Sequence, residues 1–337
     1  MGILVLIVSI VLLILLHELG HFLAAKSYGM KVEEFGFGFP PKLFSKKWGE
    51  TEYSFNLFPL GGFVRILGEN QLTGQVSAEE KQRSFSDRPA RQRLVVLAAG
   101  VAVNFLLGWL ALATVLMVGA PQSILVTQVL EDSPALEAGL QTGDQIQEFS
   151  SATSLIAHLE QNAGKTVELS VLRDGQEKTI SLIPSAQEGK IGSGLSEAGL
   201  TQKGFFAALK DGLVLSLQVM AQIIKVLGLL IFSIFTAQGI PEGIVGPVGV
   251  FSVASDLSQL GFIYVIQLVG IISLNLAILN AIPFPALDGG RFLFVLIEKI
   301  KGSKLSPKFE IIAHATGFAL LLLLMIFITV RDVVQLF

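Results

Sequence analysis

Residues 3–25 are almost unbroken in their apolar character. The interruption that matters is in "LLHELGHFLA" (residues 15–24), where His17, Glu18 and His21 fall in the last turns. A run of this length matches the roughly 20 residues that cross a bilayer as a helix. The pattern then changes. Phe35, Phe37 and Phe39 alternate with Glu34, Gly36 and Gly38, and Tyr53, Phe55 and Leu57 alternate with Glu52, Ser54 and Asn56. Period two predicts short strands. "PLGGFV" (residues 59–64) predicts a turn between them. Residues 94–118 predict a second span. From about 120 to 185, five Val/Ile/Leu-rich strand candidates are separated by polar turns such as "RDGQ" (173–176). Residues 205–236 are apolar, with a polar stripe at Asp211, Gln218, Gln222 and Lys225, the mark of an amphipathic helix. "GIPEGIVGPVGV" (239–250) is irregular. Residues 260–282 form another span broken at Pro283 and Pro285, a helix resumes over 287–300, and 309–330 form the last span.

The expected fold is a polytopic α-helical membrane protein. It has about four transmembrane helices, a membrane-associated β-hairpin or sheet, one small domain outside the membrane and one amphipathic membrane-associated helix. Four units follow. Residues 1–119 are an N-terminal membrane core that includes the β region 31–93, and 120–190 are the small domain. Residues 200–258 hold the amphipathic helix and the GPVG loop, and 259–337 form a C-terminal membrane core. Composition agrees: 52% of the 337 residues are hydrophobic and 15% charged, where soluble domains carry about a quarter charged. A net charge of −3 argues against a nucleic-acid partner. With no cysteine, thiolate metal sites and disulfides are excluded. The N-terminal run lacks the basic segment and cleavage site of a signal peptide, so a retained helix is expected.

Charge bias orients the chain. Residues 31–93 carry ten Lys/Arg and 291–308 carry five, while 120–204 carry five against eleven Asp/Glu. By the positive-inside rule the first two segments are cytoplasmic, and the N-terminus and small domain are outside.

The chemistry sits in the first span. On a helix, His17 and His21 share a face one turn apart, so two imidazoles reach one ion and Glu18 reaches a water beside it. This HExxH spacing is that of zinc hydrolases with Glu as general base. The plain alternative is a polar helix end snorkelling to the interface. A catalytic zinc takes a third protein ligand. His158 and His314 are available, but Asp288 in "NAIPFPALDGGR" (280–291) is the better candidate, since it follows a broken helix and precedes two glycines. Its alternative role is an N-cap for 289–300. Parity favours the ligand. If 205–236 lies along the interface or dips in without crossing, Asp288 ends level with His17.

In order, HELGH, "GVAVNF" (100–105), "GPVG" (246–249) and "NAIPFPALDGG" (280–290) resemble the site-2 protease family of intramembrane zinc metalloproteases, in its bacterial RseP-type branch. The resemblance implies a zinc metalloendopeptidase in which His17, His21 and Asp288 bind Zn2+ and Glu18 is the catalytic base. It also implies that Asn275 and Asn280 hydrogen-bond an extended substrate, and that the turn at Gly61 and Gly62 belongs to a membrane-dipping hairpin whose edge pairs with it. Asn104 matches a family position near the site, with an interhelical hydrogen bond as its alternative. "SPALEAGLQTGDQI" (133–146) resembles a PDZ segment, a size filter or a docking site. The implied partners are the lipid bilayer and single-pass substrates of the anti-sigma-factor kind or remnant signal peptides, cleaved in regulated intramembrane proteolysis. The implied location is a bacterial cell membrane, with the active site near the cytoplasmic side. Two rivals are a non-catalytic PDZ-bearing scaffold and a metal transporter, though the inverted repeats common in carriers are not visible.

Overall fold

The computed structural model describes residues 2–69, 77–149, 151–173, 176–187, 189–236 and 246–336. The membrane part contains α1 (Gly2–Ser27), α3 (Ala90–Val118), α6 (Phe205–Thr236), α7 (Pro247–Leu260), α8 (Phe262–Ala281), α9 (Asp288–Lys301) and α10 (Pro307–Leu336). Between α1 and α3 lie β1 (Val32–Trp48), β2 (Thr51–Ile66) and the short α2 (Ala78–Gln82). Between α3 and α6 lie β3 (Ala120–Val129), α4 (Pro134–Glu137), β4 (Gln145–Ile146), α5 (Ala152–Gln161), β5 (Val167–Arg173), β6 (Gln176–Leu182) and β7 (Ser193–Leu200). Among the described residues five helices, α1, α3, α6, α8 and α10, are long and apolar enough to cross a membrane. The amphipathic helix expected over 205–236 is one of the five. Of the expected irregular stretch 239–250, residues 239–245 lie outside the described residues and 247–250 belong to α7, with Pro247 in its first turn.

Contacts with α3 set the helix directions. A Cβ on Gly20 would lie 2.8 Å from Ala99 O, and His17 faces Gly100 and Asn104, so α1 and α3 are antiparallel. Gly270 packs on Ala111, and the Ser273 hydroxyl donates to Asn104 O (2.8 Å), so α8 is also antiparallel to α3. Lys203 N donates to Leu116 O and Trp109 Nε1 to Leu209 O, each at 2.9 Å, so α6 starts at the C-terminal end of α3. Both α6 and α8 therefore begin at that end, while α1 and α8 both finish at the other. α10 runs back: Gly317 touches Pro285 just after α8, and Ile328 and Asp332 meet Gly246. Asp332 accepts from Gly246 N (3.3 Å) and Gly249 N (3.0 Å), fastening the GPVG turn to α10.

The β region departs from expectation. Phe35, Gly36 and Phe37 each have two partners: Tyr53, Ser54 and Phe55 on one side, Val64, Phe63 and Gly62 on the other. The first half of β1 is thus the middle of a small sheet flanked by the two halves of β2. Gly61 and Gly62 are not a hairpin turn. They lie inside β2 where it moves from one flank to the other, and a tight turn falls at Gly49–Glu50 instead. Period two assigns each side chain to a face but names no partner strand, so the extra crossover was invisible. Glu50 ties that turn to Arg83 and to Lys26 at the end of α1; these two cations hold its carboxyl down at about 2.

The five-stranded sheet has the order β6-β5-β4-β3-β7. β7 pairs with β3, so this body runs to Leu200 and not to the expected 190. Its core gathers Ile124, Leu140, Ile146, Leu155 and Leu169, all essentially buried. The buried Asp144 receives two 2.6 Å bonds from Arg173 and caps the turn through Gln141 N at 2.9 Å. Losing Asp144 takes both charge-assisted bonds from Arg173 and the cap from Gln141 N, and breaking a buried pair costs about 3–5 kcal/mol. Asp144→Ala is therefore expected to open this body selectively. Limited proteolysis of the full chain should cut within 120–200 while the helical part survives.

Candidate metal centre and its cleft

Three side chains from two distant segments meet at the shared end of α1, α3 and α8. His17 Nε2 lies 3.0 Å from Asp288 Oδ2 and 3.1 Å from His21 Nε2, and His21 Nε2 lies 3.1 Å from Asp288 Oδ2. Among the described residues this is the one group of His, Asp or Glu gathered tightly enough for a metal ion. α1 supplies the imidazoles because residues 17 and 21 share a face. α9 supplies the carboxylate from its first residue. The N-cap of α9 is Leu287, with no side-chain cap bond, so Asp288 does not serve as the cap. α9 is held to α3 by the buried pair Arg93–Glu298 at 2.6 Å.

The donor set fits zinc. Nearly equal edges of 3.0, 3.1 and 3.1 Å approach the roughly 3.3 Å edge of a tetrahedron whose bonds are about 2.0–2.1 Å. Both imidazoles also suit a metal at Nε2. His21 Nδ1 is 2.8 Å from Val96 O and donates to it, leaving the Nε2 lone pair free. His17 Nδ1 is 3.1 Å from Asn104 Nδ2, while Asn104 Oδ1 is buried and unpartnered. With His17 protonated at Nδ1, a half-turn of the amide places Oδ1 against that proton and satisfies the orphan. Such outer partners fix ring orientation and tautomer.

Two small residues make room. A Cβ on Gly100 would fall 2.3 Å from His21 Nε2 and 2.7 Å from His17 Cε1. Gly100→Ala is therefore expected to displace both rings and weaken zinc binding about 10–100-fold, the range of changes just outside the ligands. Chelator competition on the purified variant checks it. A Cβ on Gly62 would lie 3.3 Å from Glu18 Cγ, which puts the outer half of β2 beside the Glu18 side chain.

Glu18, His21 and Asp288 open into a cavity of about 670 Å³, walled by Val64, Arg65 and Ile66 of β2 and by Arg291. Glu69, just after β2, pairs with Arg291, one turn beyond Asp288. Glu34 is buried between Lys42 and Arg65 in the same wall. Of the residues singled out from sequence, His17, His21, Asp288, Glu18, Asn104 and Gly62 come together here, and Gly61 is next to them in β2. Asn104 is fully buried behind His17, not exposed to the cavity. Asn275 and Asn280 are absent from the cavity wall and stand about 140° apart around α8. The support from Val96 O comes from a backbone atom and has no side-chain signal in the sequence, and nothing in GVAVNF reveals that Gly100 makes room for the two rings.

The chain is similar along nearly its whole length to known proteins. The sequence model of Peptidase family M50 matches residues 5–324. The Bacillus subtilis (strain 168) protein named "Regulator of sigma-W protease RasP" is 29% identical over 410 residues, covering 96% of each chain. "Zinc metalloprotease RasP" of Oceanobacillus iheyensis is 29% identical over 417 residues, covering 96% of this chain and 97% of its own. A Fusobacterium nucleatum protein is 32% identical over 364 residues, covering the whole of both.

Proposed function

Because the chain belongs to peptidase family M50 and is a membrane zinc metalloprotease, we propose that His17, His21 and Asp288 hold its zinc. We further propose that Glu18 is its general base and that its substrates are cut within the bilayer. The observation that carries this reading is the convergence of two Nε2 atoms and one Oδ2, from the first and ninth helices, at the mouth of a polar cavity.

When bound, zinc supplies a Lewis acid that makes water nucleophilic near neutral pH. The residues do the rest. Glu18 accepts a proton from the attacking water and passes it to the departing amide nitrogen. Val96 O and Asn104 keep the two imidazoles in the ligating tautomer. A helical substrate has its carbonyls tied up in its own backbone bonds, so it must be unwound before attack. Among the described residues, the half of β2 that passes Glu18 has a pairing partner on one side only, the first half of β1. Its other edge suits an added strand. Gly62 lets that edge approach closely. Asn275 and Asn280 stay in the proposal as substrate contacts, reached by a chain extending past the cavity along α8.

The helix directions support a cytoplasmic-side site. α6 and α8 both begin at the C-terminal end of α3, so the segment between those two starts makes no net crossing and α8 returns Asp288 to the level of His17. The body over 120–200 is proposed as an extracytoplasmic PDZ domain that filters or docks substrates. Anti-sigma-factor-like proteins are one proposed substrate class, in keeping with the Bacillus subtilis relative's name; remnant signal peptides are the other.

The test is reconstitution with single-pass segments shortened on the outer side. Products cut inside the apolar stretch, abolished by a chelator and restored by zinc, support the proposal. Products cut only in the soluble flanks, or insensitive to the chelator, overturn it.

A further inference from the structure

We propose that His314, on α10, is a positioning residue for Asp288: it holds the turn Pro285–Leu287 in the conformation that aims the carboxylate at His17 and His21. The inference rests on the zinc site proposed above. Ala286 has φ +81°, a left-handed backbone that L-residues other than glycine rarely adopt. Something outside the turn must hold it there.

The donors of this turn can be counted. Pro283 and Pro285 have no N–H. Phe284 N donates to Ile282 O (2.7 Å) and Leu287 N to Phe284 O (3.2 Å), both local bonds. Ala286 N donates to His314 Nδ1 at 2.8 Å, and among the described residues this is the one N–H of the turn that bonds to α10. Two residues later comes Asp288, so a change at Ala286 swings its carboxylate. The turn is also gripped sterically. A Cβ on Gly317 would lie 2.3 Å from Pro285 O, and one on Gly290 would lie 2.3 Å from Phe284 O. Phe294 meets the His314 ring edge-on, with centroids 5.4 Å apart, and fixes its plane. The imidazole weighed from sequence as a third ligand thus acts on the backbone beside the ligand.

The experiment compares His314→Asn, His314→Gln and His314→Leu in the full detergent-purified chain, with Asp288→Ala alongside. Zinc affinity is read by chelator competition, and ligand geometry by the visible absorption of the cobalt-substituted protein. Asn places an oxygen where Nδ1 stood; Gln places one farther out; Leu has none. The expected result is zinc binding about 10–100-fold weaker in Gln and Leu, an altered cobalt spectrum in both, and near-wild-type behaviour in Asn. If Leu fails to accumulate, the Asn and Gln pair decides. Equal loss in all variants overturns the proposal, since mere packing would not separate Asn from Gln. So does wild-type zinc binding in all three while Asp288→Ala loses it, and the zinc site then stands without His314. Wild-type binding in Asp288→Ala would sink the zinc assignment itself, and His314's role with it.

Discussion

Glu18→Gln is expected to leave one zinc per chain and to lower kcat by about 10³-fold, within the 10²–10⁴ that a positioned base contributes. Gln keeps the size of the side chain and its place beside Gly62, so cavity and ligands survive. What it loses is the ability to accept the water's proton and return it to the leaving nitrogen. Glu18 is not among the three side chains gathered closely enough to hold a metal ion, so metal content and activity should separate in this variant. Turnover of a reconstituted single-pass substrate and metal analysis of the same preparation check both halves. Activity within tenfold of wild type would remove Glu18 from the proton path.

Asp288→Ala should do the opposite and strip the metal. Two imidazoles on one helix then remain, without the carboxylate that closes the triad from α9. The loss should exceed the roughly 10–100-fold typical of residues just outside the ligands. The fold should persist, because Arg93–Glu298 still holds α9 against α3. Chelator competition measures the first expectation, and retained helical circular dichroism the second.

Much of this site was legible because its signals are local. His17 and His21 lie four apart on one helix, and that spacing alone puts two imidazoles on a face. Asp288 is signalled differently, by the broken helix before it and the parity of the spans. What was not legible depends on which segments become neighbours. The crossover inside β2 could not be read from alternation at Phe55 and Leu57. β7 hides in "SGLSEAGL", too rich in Gly and Ser to alternate. For Asn104 the pattern leaves open a place near the site or an interhelical hydrogen bond, and only the packing puts it fully buried behind His17. His314 donates no sequence pattern at all, since its partner is a backbone N–H 28 residues away. For α6, length and hydropathy describe a crossing helix, and only the bonds from Lys203 just before it to Leu116 and from Trp109 to Leu209 reveal which end it starts from.

One zinc held by two histidines and one aspartate from distant parts of the chain has its own signature in zinc K-edge X-ray absorption of the purified wild-type protein. Two imidazoles and carboxylate or water oxygens at about 2.0–2.2 Å are expected, with one imidazole lost in His21→Ala and the oxygen count reduced in Asp288→Ala. A third imidazole, or a wild-type spectrum unchanged by Asp288→Ala, would rule out this ligand set.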